Sequence, residues 1–328
     1  QIYNWSKHIC RWRIFFVNHK VLIVGYGSSG QRYFKIIKKK FPNFQIKVFS
    51  KSIKTGSHFL KNFLDINIFK PDTIFLCNPS SERVKYLNLI KKTNNIFFEK
   101  PLSNNYKDGK KIWHNVKNKK MSVVGYNLRF LNILDVVRKN LKKYVGNVYS
   151  FNCESGSFLP SWRKKNYQYS VSAQKKLGGG ALLELSHELD YINWIFGKKY
   201  ETKAFYRNSK ILNLDVEDNV KIIFNFSNKI LGSLSLDFLK HKKKRLLTIN
   251  GTKGILKVDL IKNNLSLLSV NKTRWKNIQF RKNNINSTYA DLVSYFFNKI
   301  KNKSLIKKTS KVKDGLFILK VIQEIKKQ

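Results

Sequence analysis

From Val21 onward the chain alternates short apolar runs with longer stretches in which apolar residues recur every three or four positions. "VLIVGYG" leads into "SSGQRYFKIIKKK", and "QIKVFS" follows. "DTIFLCNP" precedes "SSERVKYLNLIKK", "NIFFEKP" precedes "NYKDGKKIWHNVKN", and "MSVVGYN" closes the series. Short apolar runs read as strands, and the stretches of helical period between them read as the helices that cover them. The pattern predicts a doubly wound parallel sheet with helices on both faces, an α/β unit over residues 21–125. Ligands of such sheets bind beyond the carboxyl ends of the strands.

After "VVGYNLRF" the rhythm changes. A helical stretch over 131–143 gives way to the strand "NVYSFNCESG", a loop, a glycine cluster and a helix. "KAFYRN", "NVKIIFNF", "ILGSLSLDF", "RLLTING" and "GILKVDL" then read as strands separated by turn residues, which predicts a large, mostly antiparallel sheet. Helices are expected over 289–301 and 312–327. No repeat or low-complexity linker separates the halves, so 126–328 reads as a second, α+β domain joined by a tight hinge near Gly125. Residues 1–20 read as a basic, aromatic extension before the first strand.

At 328 residues the chain is long enough for two domains with a core each, and 42% hydrophobic with 14% aromatic residues is the composition of a globular protein. The net charge of +46 would ordinarily point to a polyanion. Here lysine far outnumbers arginine, comes with abundant Asn and Ile, and recurs on the outward side of almost every expected helix. A nucleic-acid face is therefore not expected, although such a surface favours anionic substrates and phosphorylated cofactors. Cys10, Cys77 and Cys153 lie far apart with neither disulfide nor metal spacing, so a reduced, cytoplasmic setting and no metal are expected. No apolar stretch reaches the roughly 20 residues of a bilayer span, and no membrane partner is expected.

The turn Gly25-Tyr26-Gly27-Ser28-Ser29-Gly30 fits G-x-G-x-x-G between a strand and a helix. Gly25 suits a tight turn, Gly27 lets a pyrophosphate approach the backbone, and Gly30 lets helix and strand pack closely. The helix start offers unpaired N–H groups and a positive dipole end to phosphates. An NAD-selective site has a carboxylate about 20 residues further on. The second strand instead ends in Ser50 and Lys51, with no acid in reach, and this favours NADP over NAD.

Further strand ends supply Asn78, Pro79, Glu99, Lys100 and Pro101 to the same edge. An X-Pro bond is the peptide bond that adopts cis cheaply, and a fixed bend at Pro101 would aim Lys100 into the cleft. The competing reading is a solvated lysine before a strand-ending proline. In "GGGALLELSHELD", Glu184, His187, Glu188 and Asp190 fall three and four apart on a helix, so that a carboxylate can orient His187 as a general base. A hydrogen-bonded core histidine is the alternative. Tyr126, Asn127, Arg129, Trp162, Arg163 and Tyr167 could form a sugar-binding wall or pack between domains.

Together, "GYGSSGQR", "CNPSS", "EKP" and "GGGALLELSHELDYINWIFG", in this order, resemble the Gfo/Idh/MocA family of NAD(P)-dependent sugar and cyclitol oxidoreductases. The resemblance covers nearly the whole chain from Val21. It implies a Rossmann domain followed by a substrate domain, self-association as a homodimer or homotetramer, and hydride transfer to or from a sugar, nucleotide-sugar or cyclitol. It places Lys100 at the reacting carbon with a cis bond to Pro101. His187 matches the histidine of the family's D-x-G-x-H-x-x-D motif and Asp190 its last acid, with Glu184 one residue nearer than the first. Lys100, His187 and Glu184 are thus the expected catalytic residues, and Lys100, Tyr126, Asn127, Arg129, Trp162, Arg163, His187 and Asp190 the substrate contacts. The family's "P-x-x-x-H" matches Pro79 but has Arg83 in place of histidine, which reads as a surface substitution. Two other functions fit the sequence: an NAD-dependent glycosidase using transient oxidation, and a non-catalytic cofactor-sensing or nucleic-acid-binding protein.

Overall fold

The computed structural model describes residues 18–51, 55–119, 121–162, 166–302, 304 and 307–328. The segment 1–17 with Cys10, and the expected substrate contact Arg163, lie outside them.

In the first part of the chain β1 (Lys20–Val24), α1 (Ser28–Lys40), β2 (Gln45–Phe49), β3 (Phe59–Leu60), α2 (Phe63–Phe69), β4 (Thr73–Leu76), α3 (Leu87–Lys92), β5 (Asn95–Phe98), α4 (Tyr106–Val116) and β6 (Met121–Val124) follow one another. Val21 to Val24 are all buried, as a strand covered on both faces requires. α1 buries Gly30, Tyr33, Phe34 and Ile37, a single stripe at helical spacing, and ends in Lys38, Lys39 and Lys40, where cations meet the negative end of the helix dipole. The expected helix over "SSERVKYLNLIKK" is 3₁₀ from Ser80 to Tyr86 and becomes α-helical only at Leu87.

The second part comprises α5 (Asn132–Val145), β7 (Val148–Gly156), α6 (Ala181–Glu184), α7 (His187–Phe196), β8 (Tyr200–Arg207), β9 (Asn219–Phe226), β10 (Leu231–Asp237), β11 (Lys244–Gly251), β12 (Gly254–Asp259), β13 (Asn264–Ser269), β14 (Lys276–Asn277), α8 (Ile285–Lys301), β15 (Ser310–Lys311) and α9 (Val312–Ile325). The eight-stranded sheet runs β14-β13-β12-β11-β7-β10-β9-β8 and is antiparallel except between β7 and β10. In β9 the residues Val220, Ile222, Phe224 and Phe226 point to the covered face while Lys221, Ile223 and Asn225 face outward.

The seven-stranded sheet has the order β15-β6-β5-β4-β1-β2-β3, parallel throughout except for β15 against β6. That last pairing brings the end of the chain back to its first half. α8 buries Leu292, Val293, Phe296 and Phe297 in one cluster with Val21, Ile23, Phe75 and Phe97 of the first sheet, and α9 packs on α4. Residues after 285, expected with the second sheet, thus cover the first, because apolar periodicity marks which face of a helix is buried but not against what.

Candidate active site

The carboxyl ends of β1, β2, β4 and β5 open on a cleft of about 480 Å³ lined by Gly25, Tyr26, Gly27, Ser28, Ser29, Ser50, Lys51, Asn78, Pro79, Glu99, Lys100 and Pro101 among others. Gly25 has φ +89°, and a Cβ there would lie 2.6 Å from the Asn78 backbone nitrogen, so only glycine makes this turn. Gly30 is buried against the Gly25 carbonyl. Gly27 differs from both: its φ of −71° is ordinary, and a Cβ there would meet no protein atom within 4 Å. It leaves room beside the N-terminus of α1, which no side chain caps. Both amide atoms of the Asn78 side chain are buried without a partner. An uncapped helix start, an open glycine and an unpartnered amide together fit the pyrophosphate of a dinucleotide.

At the far end of this cleft an acid does come into reach. Glu82, on the 3₁₀ segment after β4, lies with its Oε1 2.7 Å from the Lys51 ammonium and 3.2 Å from that of Lys85. The hydrogen bond from Lys51 holds the Glu82 carboxyl below its usual range. The expectation of an acid-free pocket is thus corrected, because Glu82 is 31 residues from Lys51 in sequence and is delivered by a different strand end.

The strand-end phrase "FEKP" turns as expected, with a cis bond between Lys100 and Pro101. Glu99 is buried and accepts a hydrogen bond of 2.8 Å from the Tyr33 hydroxyl, and burial raises its carboxyl pKa. Lys100 is not a solvated lysine. Its Nζ donates to the Glu184 carbonyl oxygen at 2.9 Å and lies 3.5 Å from the Glu184 carboxylate. Arg83 is not a surface substitution either: it is 1% exposed, donates to the Pro101 carbonyl, and leaves its Nε buried without a partner. Burial pushes its pKa down to about 10.

A second cavity, also of about 480 Å³, adjoins the first, and Lys100, Glu184 and Tyr289 line both. It is bounded by Asn127, Trp162, His187, Arg245 and the β7 end at Ser155 to Ser157. His187 packs edge-on against the Tyr126 ring at 5.5 Å. Its Nδ1 is buried without a hydrogen-bond partner. Burial, with Lys100 and Arg245 adding to it, holds its pKa well below the ordinary histidine value. The imidazole is neutral near pH 7 and able to accept a proton.

The single helix expected to carry Glu184, His187, Glu188 and Asp190 is broken. The Ser186 hydroxyl donates to the Leu183 carbonyl at 2.7 Å, competing with the helical ladder, and α7 starts afresh at His187. Glu184 is turned toward Lys100 and makes no hydrogen bond to His187 among the described residues. Asp190 and Arg129 are withdrawn from the expected substrate wall. They face each other in a buried two-pronged pair at 2.7 and 2.8 Å, and neither lines the cavity. Tyr126 is buried behind His187 with its hydroxyl on Ser186. Asn127 and Trp162 do line the cavity, while Tyr167 reaches the Leu212 carbonyl. Tyr289 and Arg245 were not singled out in the sequence, since neither sits in a motif. Among the described residues no three His, Cys, Asp or Glu side chains form a metal-holding group.

The family model for the C-terminal alpha/beta domain of the oxidoreductase family matches residues 109–327. Over 239 residues the chain is 22% identical to 2,7-anhydro-N-acetylneuraminate hydratase of Escherichia coli (strain K12), covering 68% of this chain and 63% of that relative's length. Among solved structures, levoglucosan dehydrogenase in complex with NADH and levoglucosan superposes with a TM-score of 0.80 at 16% identity, covering 94% of this chain and 96% of that one. The WlbA dehydrogenase from Bordetella pertussis, in complex with NADH and UDP-GlcNAcA, gives 0.75 at 16% identity over 94% and 95%. UDP-N-acetylglucosamine 3-dehydrogenase GnnA from Acidithiobacillus ferrooxidans gives 0.73 at 13% identity over 94% and 97%. At these identities the likeness is one of fold.

Proposed function

This chain belongs to the Gfo/Idh/MocA oxidoreductase family, and on that premise we propose that it is an NAD(P)-dependent dehydrogenase or reductase. Its substrate in this reading is a CH–OH or keto carbon of a sugar, nucleotide-sugar or cyclitol. One observation carries the reading: Lys100 lines both the dinucleotide cleft and the second cavity, and His187 lines the second beside it.

Gly25 to Gly30, Asn78 and Pro79 would hold the dinucleotide, which when bound supplies the hydride acceptor or donor. The neutral imidazole of His187 accepts the substrate hydroxyl proton in the oxidative direction. Lys100, held by Glu184, places a positive charge where the alkoxide develops. Asn127 and Trp162 would orient the sugar ring. General base catalysis contributes about 10²–10⁴-fold, so His187→Ala and Lys100→Ala are expected to lower kcat by that order with cofactor affinity kept. Wild-type turnover in either variant overturns the assignment.

The Lys51–Glu82 pair supports NAD as the cofactor rather than NADP, since a 2′-phosphate would have to displace a carboxylate that already holds the lysine. A second use of the same site, transient oxidation followed by elimination and return of the hydride, is supported by the 22% identical relative being a hydratase, 2,7-anhydro-N-acetylneuraminate hydratase. It would convert substrate with no net cofactor consumption, which absorbance at the reduced-cofactor band distinguishes. Self-association as a dimer or tetramer through the open face of the eight-stranded sheet is supported by the exposed Phe205, Ile223 and Leu231. No described helix is long and apolar enough to cross a membrane.

A further inference from the structure

One wall of the second cavity is built by the segment leading into β11 and by the first residues of that strand. Lys243, Lys244 and Arg245 line it beside His241, so that with Lys100 four cationic residues share the cavity with one carboxylate residue, Glu184. In a chain so rich in lysine, surface cations alone decide little. Lys244 and its neighbour Lys240 are also engaged by Glu154, outside the cavity.

Arg245 is different. Its side chain is 14% exposed, and its Nε donates to Oε1 of the fully buried Glu188 at 2.7 Å, with the Ser155 hydroxyl at 3.4 Å. A charge withdrawn from water in this way is stable only when paired, and the pairing here uses one edge of the guanidinium. The two terminal nitrogens have no hydrogen-bond acceptor among the described residues, and neither is sealed from the cavity. The fork that remains has the geometry that receives two oxygens of one anion. Glu188 fixes the direction in which that fork points, and β11 fixes its base, because Arg245 pairs in register with Ser155 of β7.

We propose that this cavity is an oxyanion site: the substrate carries a carboxylate or phosphate group, bound by the free edge of Arg245 with Lys243 at the rim, while its reacting carbon lies between Lys100 and His187. This deepens the reading of the second cavity as the substrate site and rests on it. The hydroxyls of a neutral sugar can accept from the Arg245 fork but leave its charge unpaired, so binding gains less from it than with an anion.

The test is equilibrium binding to the full chain saturated with NADH, read by Trp162 fluorescence or calorimetry at low salt. The probes are glucuronate (a sugar carboxylate), UDP (a diphosphate without sugar) and glucose (neutral). At least one anionic probe is expected to bind at least about tenfold more tightly than glucose, and which of the two does so identifies the anion. Arg245→Gln, made together with Glu188→Gln so that no buried carboxylate is left unpaired, should remove that preference. Lys243→Gln, at an open rim position, should weaken it a few-fold with the fold undisturbed. Equal affinity for glucose and both anions, or an anion preference that survives both variants, overturns the proposal. Failure of NADH itself to bind would instead remove the functional reading beneath it.

Discussion

Lys51 and Glu82 meet at 2.7 Å across the far end of the dinucleotide cleft, although 31 residues separate them in sequence. The carboxylate is partly sheltered, the lysine is open to water, and a second lysine at position 85 flanks the pair. A carboxylate there can accept the hydroxyls of an adenosine ribose and repels a phosphate on that ribose. Glu82→Gln removes the repulsion and frees Lys51. The ratio of NADP to NAD affinity, measured by titrating both cofactors, should rise about tenfold, equivalent to about 1.4 kcal/mol. An unchanged ratio would mean that the ribose does not reach this end of the cleft.

Gly27 and Gly25 of the first turn should separate binding from stability. Alanine at Gly27 has an ordinary φ and no protein atom within 4 Å, so the thermal midpoint should move by no more than about 1 kcal/mol equivalent. The added methyl enters the space assigned to the pyrophosphate, and NAD affinity should fall about tenfold or more. Alanine at Gly25 has φ +89° and a Cβ 2.6 Å from the Asn78 backbone. It should cost at least about 2 kcal/mol of stability whether or not cofactor is present. Calorimetric unfolding of both variants, with and without NADH, checks the contrast.

Arg129 and Asp190, expected at the substrate wall, instead tie the 3₁₀ segment Asn127–Phe130 to α7, and Asp314 of α9 stands 3.7 Å from the same guanidinium. Removing one partner leaves an uncompensated buried charge. Arg129→Met should therefore cost about 3–5 kcal/mol in denaturant unfolding, far more than an exposed pair such as Lys320–Glu324 would. KM in the folded fraction should stay unchanged, whereas a KM increase with full stability would return Arg129 to the substrate.

What could be read in advance follows the range over which each signal acts. Val21 to Val24 are apolar in sequence and buried in the sheet, and "GYGSSG" carries its own geometry through glycine positions, so these two stretches are legible residue by residue. The pairs Phe59–Leu60, Lys276–Asn277 and Ser310–Lys311 are strands too short to show any period. Arg83 looks like a surface residue because arginine usually is one, and the carbonyls of Pro101 and Asn78 that receive it in the interior are not visible in sequence. Tyr289 and Arg245 reach the site from segments with no motif, and Glu82 occupies an unspecified position within one, so their roles exist only once the strand ends are brought together. The Glu184–His187 partnership was sound helical arithmetic, undone by a hydroxyl at Ser186 that ends one helix and lets another begin.

His187 sets a pH dependence with a definite sign. Burial first, then the charges of Lys100 and Arg245, hold its native pKa well below 6.5. The proton-accepting form therefore persists below the pH at which an ordinary histidine would be half protonated. In the oxidative direction kcat/KM should stay level as pH falls through 6.5 and drop only further into acid, with the low-pH limb lost along with most activity in His187→Gln. Stability carries the complementary signature. Below pH 6.5 the unfolded chain binds a proton at this residue that the native state refuses, so unfolding becomes easier as pH falls toward the native pKa. The loss approaches about 1.4 kcal/mol per pH unit in that window and is absent above it. His19, whose pKa is also lowered by burial, contributes in the same direction in wild type and variant alike and cancels in the comparison. Denaturant midpoints taken on either side of pH 6.5 should thus converge as pH falls, wild type losing more than His187→Gln. Parallel losses in the two proteins would show that the imidazole titrates in the folded chain as it does in water, and its place as a neutral base would fall with them.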